Sequence, residues 1–221
     1  AFNNLTTGVG LPTEDAQVRQ AMNYAVDVDA IIDALFSGFG KRAAGYVATD
    51  EMGYGIVSPY PYDPNKARDL LAEAGYADGF EMDMACPAGA YGSFEEVCEA
   101  IAGYLGEVGI TINLEIMESA HYWDLEANKE LPPLFGDSWA DESGEAYNRL
   151  RGALGGLDAP YSAWSDPEID RLLDEISAEV DIAARTALYE ELQVYMRDNP
   201  PFIYLYEPFT FEAVRDKVQD Y

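Results

Sequence analysis

Histidine is almost missing: His121 is the only one in 221 residues. A multi-histidine metal site is thereby excluded, and a zinc site would need both cysteines, Cys86 and Cys98, plus a carboxylate. Lysine is scarce too, limited to Lys41, Lys66, Lys129 and Lys217. Lys and Arg together number 13 against 41 Asp and Glu, a formal charge of −28. With no basic stripe to displace counterions from phosphates, nucleic acid is excluded as a partner. No apolar run approaches the roughly 20 residues of a membrane-spanning helix. Common enzyme signatures are missing as well. There is no G-x-S-x-G elbow and no G-x-x-x-x-G-K-S/T loop. The G-x-G-x-x-A run from Gly38 to Ala43 follows a helical pattern instead of a strand, the wrong context for a dinucleotide. The acidic stretch 137–145 lacks glycine at the sixth position of a calcium loop. Two cysteines are too few to decide the redox compartment.

Hydrophobic residues make up 48% of the chain and aromatics 13%, so it is no disordered acidic tail. A chain this long buries roughly 70% of its unfolded surface and forms one large domain or two small ones. The excess carboxylate fits a salt-adapted surface, a merely acidic one, or one that attracts cationic partners. The first residues, AFNNLTTGVG, show neither a basic region nor an apolar stretch. Any secretory signal is expected to have been removed or to lie outside this sequence.

Punctuation along the chain is legible. Residues 2–6 read as a short strand. From Asp15, Val18, Ala21, Met22 and Ala25 fall on one helical face, and a second helix is expected from Asp29 to Phe36. Gly38 to Tyr62 lacks periodicity and reads as a long loop, a length often associated with function. Asp63-Pro64 opens a helix that Gly75 stops. Phe80, Met82, Met84 and Cys86 alternate as in a strand. Ser93 and Glu96 have capping-box spacing ahead of a helix with Val97, Ile101, Tyr104, Leu105 and Val108 inward. Ile110, Ile112, Leu114 and Ile116 alternate next. Strand, helix, strand in this order predicts a βαβ unit and a parallel sheet with a right-handed crossover. A short helix from Ser119 carries Tyr122 and Trp123, and Leu131–Trp139 is expected to include a strand. Asp166-Pro167 begins another helix, 181–197 a further one, and 202–207 reads as a closing strand. One α/β domain accounts for the whole.

Carboxylate pairs carry no specificity among so many acids. The aromatics Tyr60, Tyr62, Tyr91, Trp139, Tyr147, Tyr161 and Trp164 fall in expected loops or element ends, either covering a sheet edge or walling a ligand site. Trp139-Ala140-Asp141 is the sharpest local candidate. A ring beside a fixed carboxylate suits a ligand with an ammonium group.

The order of these pieces resembles the family 5 extracellular solute-binding proteins, the peptide- and nickel-type receptors of ABC importers. The resemblance rests on DAQVRQAMNYAVDVDAIID (15–33), YPYDPNKARDLLAEAGY (60–76), GITINLE (109–115), SWAD (138–141), WSDPEIDRLL (164–173), LYEELQ (188–193) and PPFIYLY (200–206). It implies a mixed, mostly parallel sheet flanked by helices, one lobe of a type II (cluster C) periplasmic-binding-protein-like fold. Residues 1–221 would be the C-terminal ligand-binding lobe, with hinge-crossing strands near 2–6 and 202–207 and the N-terminal lobe outside the chain. It further implies capture of a peptide or other small solute for membrane permease subunits, in the periplasm or outside the cell, without catalysis or cofactor. Asp141 would grip a peptide's α-ammonium beside Trp139, with Ser138 and Tyr122 completing the expected ligand set. After Asp141 the chain departs from peptide receptors, reading Glu142-Ser143-Gly144-Glu145. Export would also favour a Cys86–Cys98 disulfide. The competing expectation is a glycoside or peptide hydrolase using acidic residues in an aromatic cleft.

Overall fold

The computed structural model describes residues 1–140, 144–209 and 211. Along the chain run α1 (Ala16–Ala25), α2 (Val28–Phe36), β1 (Gly40–Arg42), α3 (Pro64–Glu73), β2 (Phe80–Pro87), α4 (Phe94–Glu107) and β3 (Ile110–Met117). They are followed by α5 (Ser119–Ala127), β4 (Leu134–Phe135), α6 (Tyr147–Leu154), α7 (Pro167–Ala178), α8 (Ile182–Asp198) and β5 (Tyr206–Pro208).

Aspartates start many of these helices. Asp15, Asp27, Asp63, Asp166 and Asp181 each accept a backbone N–H in the first turn of α1, α2, α3, α7 and α8. Each such cap is worth about 1 kcal/mol. The expected capping box before α4 does not form. Ser93 sits in the left-handed region at φ 53° and makes no side-chain cap, because a capping hydroxyl needs extended backbone. Glu95, not Glu96, reaches back and accepts from Gly89 N at 2.7 Å.

The predicted βαβ unit is the centre of the fold. β2 and β3 pair in parallel from Phe80↔Ile110 to Pro87↔Met117, and β4 joins the other edge of β2, also parallel. Entry to the unit is tight: a side chain on Gly79, at φ 75°, would lie 1.9 Å from the Gly109 carbonyl oxygen. One face of the sheet packs on α4 through Val97, Cys98, Ile101 and Leu105 and continues into the main core. The other face buries Ala85, Met117, Tyr122, Leu131, Phe135 and Ala163.

The short strands depart from the sequence reading. Of residues 2–6 only Phe2 makes a bridge, antiparallel to Leu134, after which Asn3 turns the chain by accepting from Leu5 N and Thr6 N. The strand expected in 131–139 shrinks to Leu134–Phe135, since Pro132 and Pro133 bring no N–H to a ladder. The closing strand begins only at Tyr206 and pairs antiparallel with β1. Before it, Asn23 of α1 supplies the missing partners, donating to Phe202 O and accepting from Tyr204 N. Strand β1 lies inside the expected long loop, and α6 occupies a stretch that the sequence left without an element.

Candidate functional site

The loop after β4 reaches a cavity of about 1000 Å³. Three rings from distant parts of the chain wall it: Tyr46, Trp139 and Phe202. Tyr46 stacks on Phe202 at 4.8 Å, while Trp139 tilts against Phe202 at 5.5 Å and Tyr46 at 5.9 Å. Across the turn before α4, Tyr91 meets Phe94 edge-on at 5.2 Å and also lines the cavity.

Few polar groups interrupt this lining. The Tyr91 hydroxyl donates to Asp137 Oδ1 at 2.7 Å and to the Ser138 carbonyl at 3.3 Å. Asp137 Oδ1 also accepts from Ser138 N at 2.6 Å, which fixes the loop leading to Trp139. Burial and the neighbouring Asp137 carboxylate push the Tyr91 hydroxyl's pKa up, so it stays a donor. Arg149 on α6 donates two hydrogen bonds to Glu51, at 2.6 and 3.0 Å, and a third to the Tyr46 carbonyl. Its guanidinium lies over the Tyr46 ring at 5.2 Å. Burial likewise raises Tyr46, whose hydroxyl has no hydrogen-bond partner among the described residues, and neither has the Trp139 Nε1. Paired rings with few committed polar groups suit the holding of an organic solute.

The expected site residues separate. Trp139 and Ser138 line the cavity. Asp141 lies outside the described residues. Tyr122 is placed elsewhere: it is fully buried behind the sheet and donates its hydroxyl to the Gly136 carbonyl at 2.6 Å. Its large apolar ring fills the second core, so it supports the loop without touching the cavity. Among the other flagged aromatics, Tyr91 joins the cavity, and Tyr147 and Tyr161 line a smaller one of about 380 Å³ that shares Trp139. Tyr60 and Trp164 are core residues, and Tyr62 packs edge-on against Tyr104. His121 is exposed on α5. Sequence reading missed Tyr46, Phe202, Arg149 and Asp137. The unusual length of the 38–62 loop was the only signal pointing toward Tyr46.

Cys86 and Cys98 are both buried free thiols, and the Cys86 thiol donates to the Phe94 carbonyl of α4 at 3.7 Å. That bond joins β2 to α4.

Comparison with known proteins agrees with this architecture. The heme-binding protein A of Haemophilus influenzae is 32% identical over 218 residues, 95% of this chain and 40% of that protein. The dipeptide-binding protein of Escherichia coli is 31% identical over 95% of this chain and 41% of its own length. The structure of AgaA from A. tumefaciens with agropinic acid superposes with a TM-score of 0.80 at 27% identity, covering 94% of this chain and 42% of that one. The chain thus spans about 40% of the length of the curated relatives it matches. Its fold is the expected α/β arrangement of a type II periplasmic binding protein, in the part a single lobe contributes. Nothing in these likenesses supports the hydrolase alternative. Residues 1–160 match the model for bacterial extracellular solute-binding proteins, family 5 Middle, and the chain belongs to that family.

Proposed function

We propose that this chain is one lobe of an ABC importer's solute receptor and holds one side of the captured solute. The observation that carries the reading is the Tyr46–Trp139–Phe202 ring cluster along a cavity of about 1000 Å³. Phe2 N donates to Pro201 O at 3.1 Å, and this adjacency of the two segments supports a lobe entered and left at one place. The segments near 2–6 and 202–207 would then be the crossings of a hinge about which a second, N-terminal lobe closes. Such a receptor works outside the cytoplasmic membrane, in the periplasm or at the cell exterior, and delivers its solute to permease subunits without transforming it. Among the described residues no helix is long and apolar enough to cross a membrane. Asp141, two residues beyond Trp139, is assigned to a solute ammonium group.

The test is to purify the full-length protein that contains this chain, identify any co-purified solute by mass spectrometry, and titrate it calorimetrically. Saturable binding with the solute recovered intact is expected. Asp141→Asn should weaken an amine-bearing solute by about 1.5–3 kcal/mol, the scale of one charged hydrogen bond. Turnover of the solute, or no saturable binding by any solute, would overturn the reading.

A further inference from the structure

The smaller cavity beside Trp139 measures about 380 Å³. That is near the lower end of cavities that hold a whole solute, so it has room for one part of a molecule. Its walls are Trp139 and Ala140 of the loop after β4, the first two turns of α6, and the tip of the turn 159–161. Tyr147 belongs to the second of these walls and Tyr161 to the third. Trp139 and Ala140 also line the larger cavity, so the two spaces meet at this indole ring.

We propose that the smaller cavity is a subsite for an uncharged aromatic ring of the solute, which enters it past Trp139 from the larger cavity. The proposal rests on the receptor reading and adds a specificity to it. Tyr161 is its anchor. That ring is 52% exposed, although Ala159, Ser162 and Ala163 around it are buried. The turn that carries it is firmly held. The buried Lys129 ammonium donates to the carbonyls of Ala159 and Pro160 at 2.6 and 3.0 Å. Ser162 Oγ accepts from Gly156 N at 3.1 Å and donates to Trp164 O at 2.9 Å. The Asn4 carboxamide bonds Ser165 N and Ser165 O at 2.8 and 2.9 Å. An aromatic ring kept in water by an anchored turn, at the lip of a cavity with two more rings, is surface that a flat guest covers.

The charges on these walls are answered by residues elsewhere. Arg149 bonds Glu51 and the Tyr46 carbonyl, while Arg151 pairs with Asp174 and, at 3.6 Å, with Asp170. A solute cation would meet two guanidinium groups here. A solute anion would have to compete with the carboxylates that already hold them. An aromatic ring meets neither cost, and it gains beyond the area it buries through the offset and edge contacts that rings prefer. Gly152 sets the size of the space. A side chain begun there would point at Tyr161, its Cβ falling 3.6 Å from Cδ2, an ordinary contact distance. Glycine is unfavourable in a helix interior, and on α6 its missing side chain keeps the gap beneath Tyr161 open.

The test uses the full-length protein that contains this chain and two probes, p-cresol and its saturated counterpart methylcyclohexanol. Binding is followed by saturation-transfer NMR and calorimetry in wild type, Gly152→Ala, Gly152→Leu and Tyr161→Ala. Alanine fits at the 3.6 Å contact, whereas leucine fills the cavity. Wild type is expected to prefer p-cresol about fivefold, and Tyr161→Ala to lose a similar factor. Gly152→Ala should retain p-cresol, and Gly152→Leu should weaken it about tenfold or more. The solute that co-purifies with wild type should carry an aromatic ring and weaken likewise in Gly152→Leu. No p-cresol binding, equal binding of the two probes, or undiminished p-cresol binding in both Gly152→Leu and Tyr161→Ala would overturn the proposal. A co-purified solute that Gly152→Leu holds with wild-type affinity would overturn it too and leave the receptor reading standing. Failure of wild type to hold any solute would remove the receptor reading and the proposal with it. Matched circular dichroism separates a filled cavity from a lost fold, and Tyr161→Ala, a change at an exposed ring, decides if Gly152→Leu does not fold.

Discussion

Arg149 of α6 and Glu51 of the long loop after β1 form a two-pronged ion pair, with side chains only 6% and 7% exposed. The pair ties a wall of the cavity to a segment with little regular structure of its own. Glu51→Ala removes both of these bonds from a buried guanidinium, and breaking such a pair costs about 3–5 kcal/mol. Urea unfolding is expected to show a loss of that size. Replacing both partners by apolar residues of similar volume should recover most of it.

Tyr122 supports the site from behind. Its hydroxyl is the link between α5 and the Gly136 carbonyl, two residues before Ser138. Tyr122→Phe keeps the ring in the second core and leaves that buried carbonyl without its donor, a cost of about 1–3 kcal/mol. Faster hydrogen exchange is expected at the Gly136 amide, which bonds Ala85 O at 2.9 Å. Unchanged exchange there would show that the link does not hold the loop.

The comparison of sequence with structure divides along a physical line. Features set by local chemistry were legible: Asp63 and Asp166 before proline started helices, and the alternation at 80–86 and 110–116 gave a parallel pair. Features set by distant partners were not. Residues 202–205 have strand composition, yet Asn23 satisfies them from a helix, so no ladder forms. Trp139, which lines the cavity, stood out because its ring lies near a carboxylate in sequence. Tyr46 and Phe202, 156 positions apart, become one stack only in the folded chain. Tyr122 was misplaced because an aromatic on a short helix near the site looks the same whether its ring faces the cavity or the core.

The buried carboxyl of Glu126 gives stability a pH dependence of known sign. Its folded pKa, about 9, lies above the ordinary 4.5, so the folded state holds a proton that the unfolded state releases. Its contribution is fully present below about 4.5 and is lost progressively as pH rises through about 9. Carboxylates with depressed values, Glu118 and Glu168, act below this window. Glu126→Gln should therefore flatten the decline in melting temperature between those limits and be the more stable protein at the alkaline end. A parallel decline in both proteins would refute the assignment.

The two thiols test the compartment. Cys86 and Cys98 share one buried core cluster, and neighbouring Cys86 together with burial pushes the Cys98 thiol up. A thiol held protonated and buried reacts slowly. Protein made under reducing conditions should resist alkylation until it is unfolded. Protein exported through an oxidising compartment should yield a Cys86–Cys98 cross-linked peptide on non-reducing mapping. Recovery of two alkylatable thiols from exported, denatured protein would count against the bridge.

Net charge supplies the last prediction. The sequence carries −28, and its arginines are engaged where carboxylates crowd: Arg171 alone bonds Glu168, Glu175 and Glu191. Ion pairs of this exposed kind contribute little and are screened by salt, so salt should weaken them. Repulsion among the unpaired carboxylates is screened by the same ions and opposes the compact state more strongly in dilute solution. The two effects have opposite signs, and 41 acids against 13 bases decide which is larger. Melting temperature should rise as potassium chloride increases from about 0.1 M to about 1 M, over which the screening length falls from about 10 Å to about 3 Å. Because chloride salts of sodium and potassium screen alike, both should act similarly at equal ionic strength. A melting temperature that falls with added salt would mean that the surface ion pairs outweigh the repulsion.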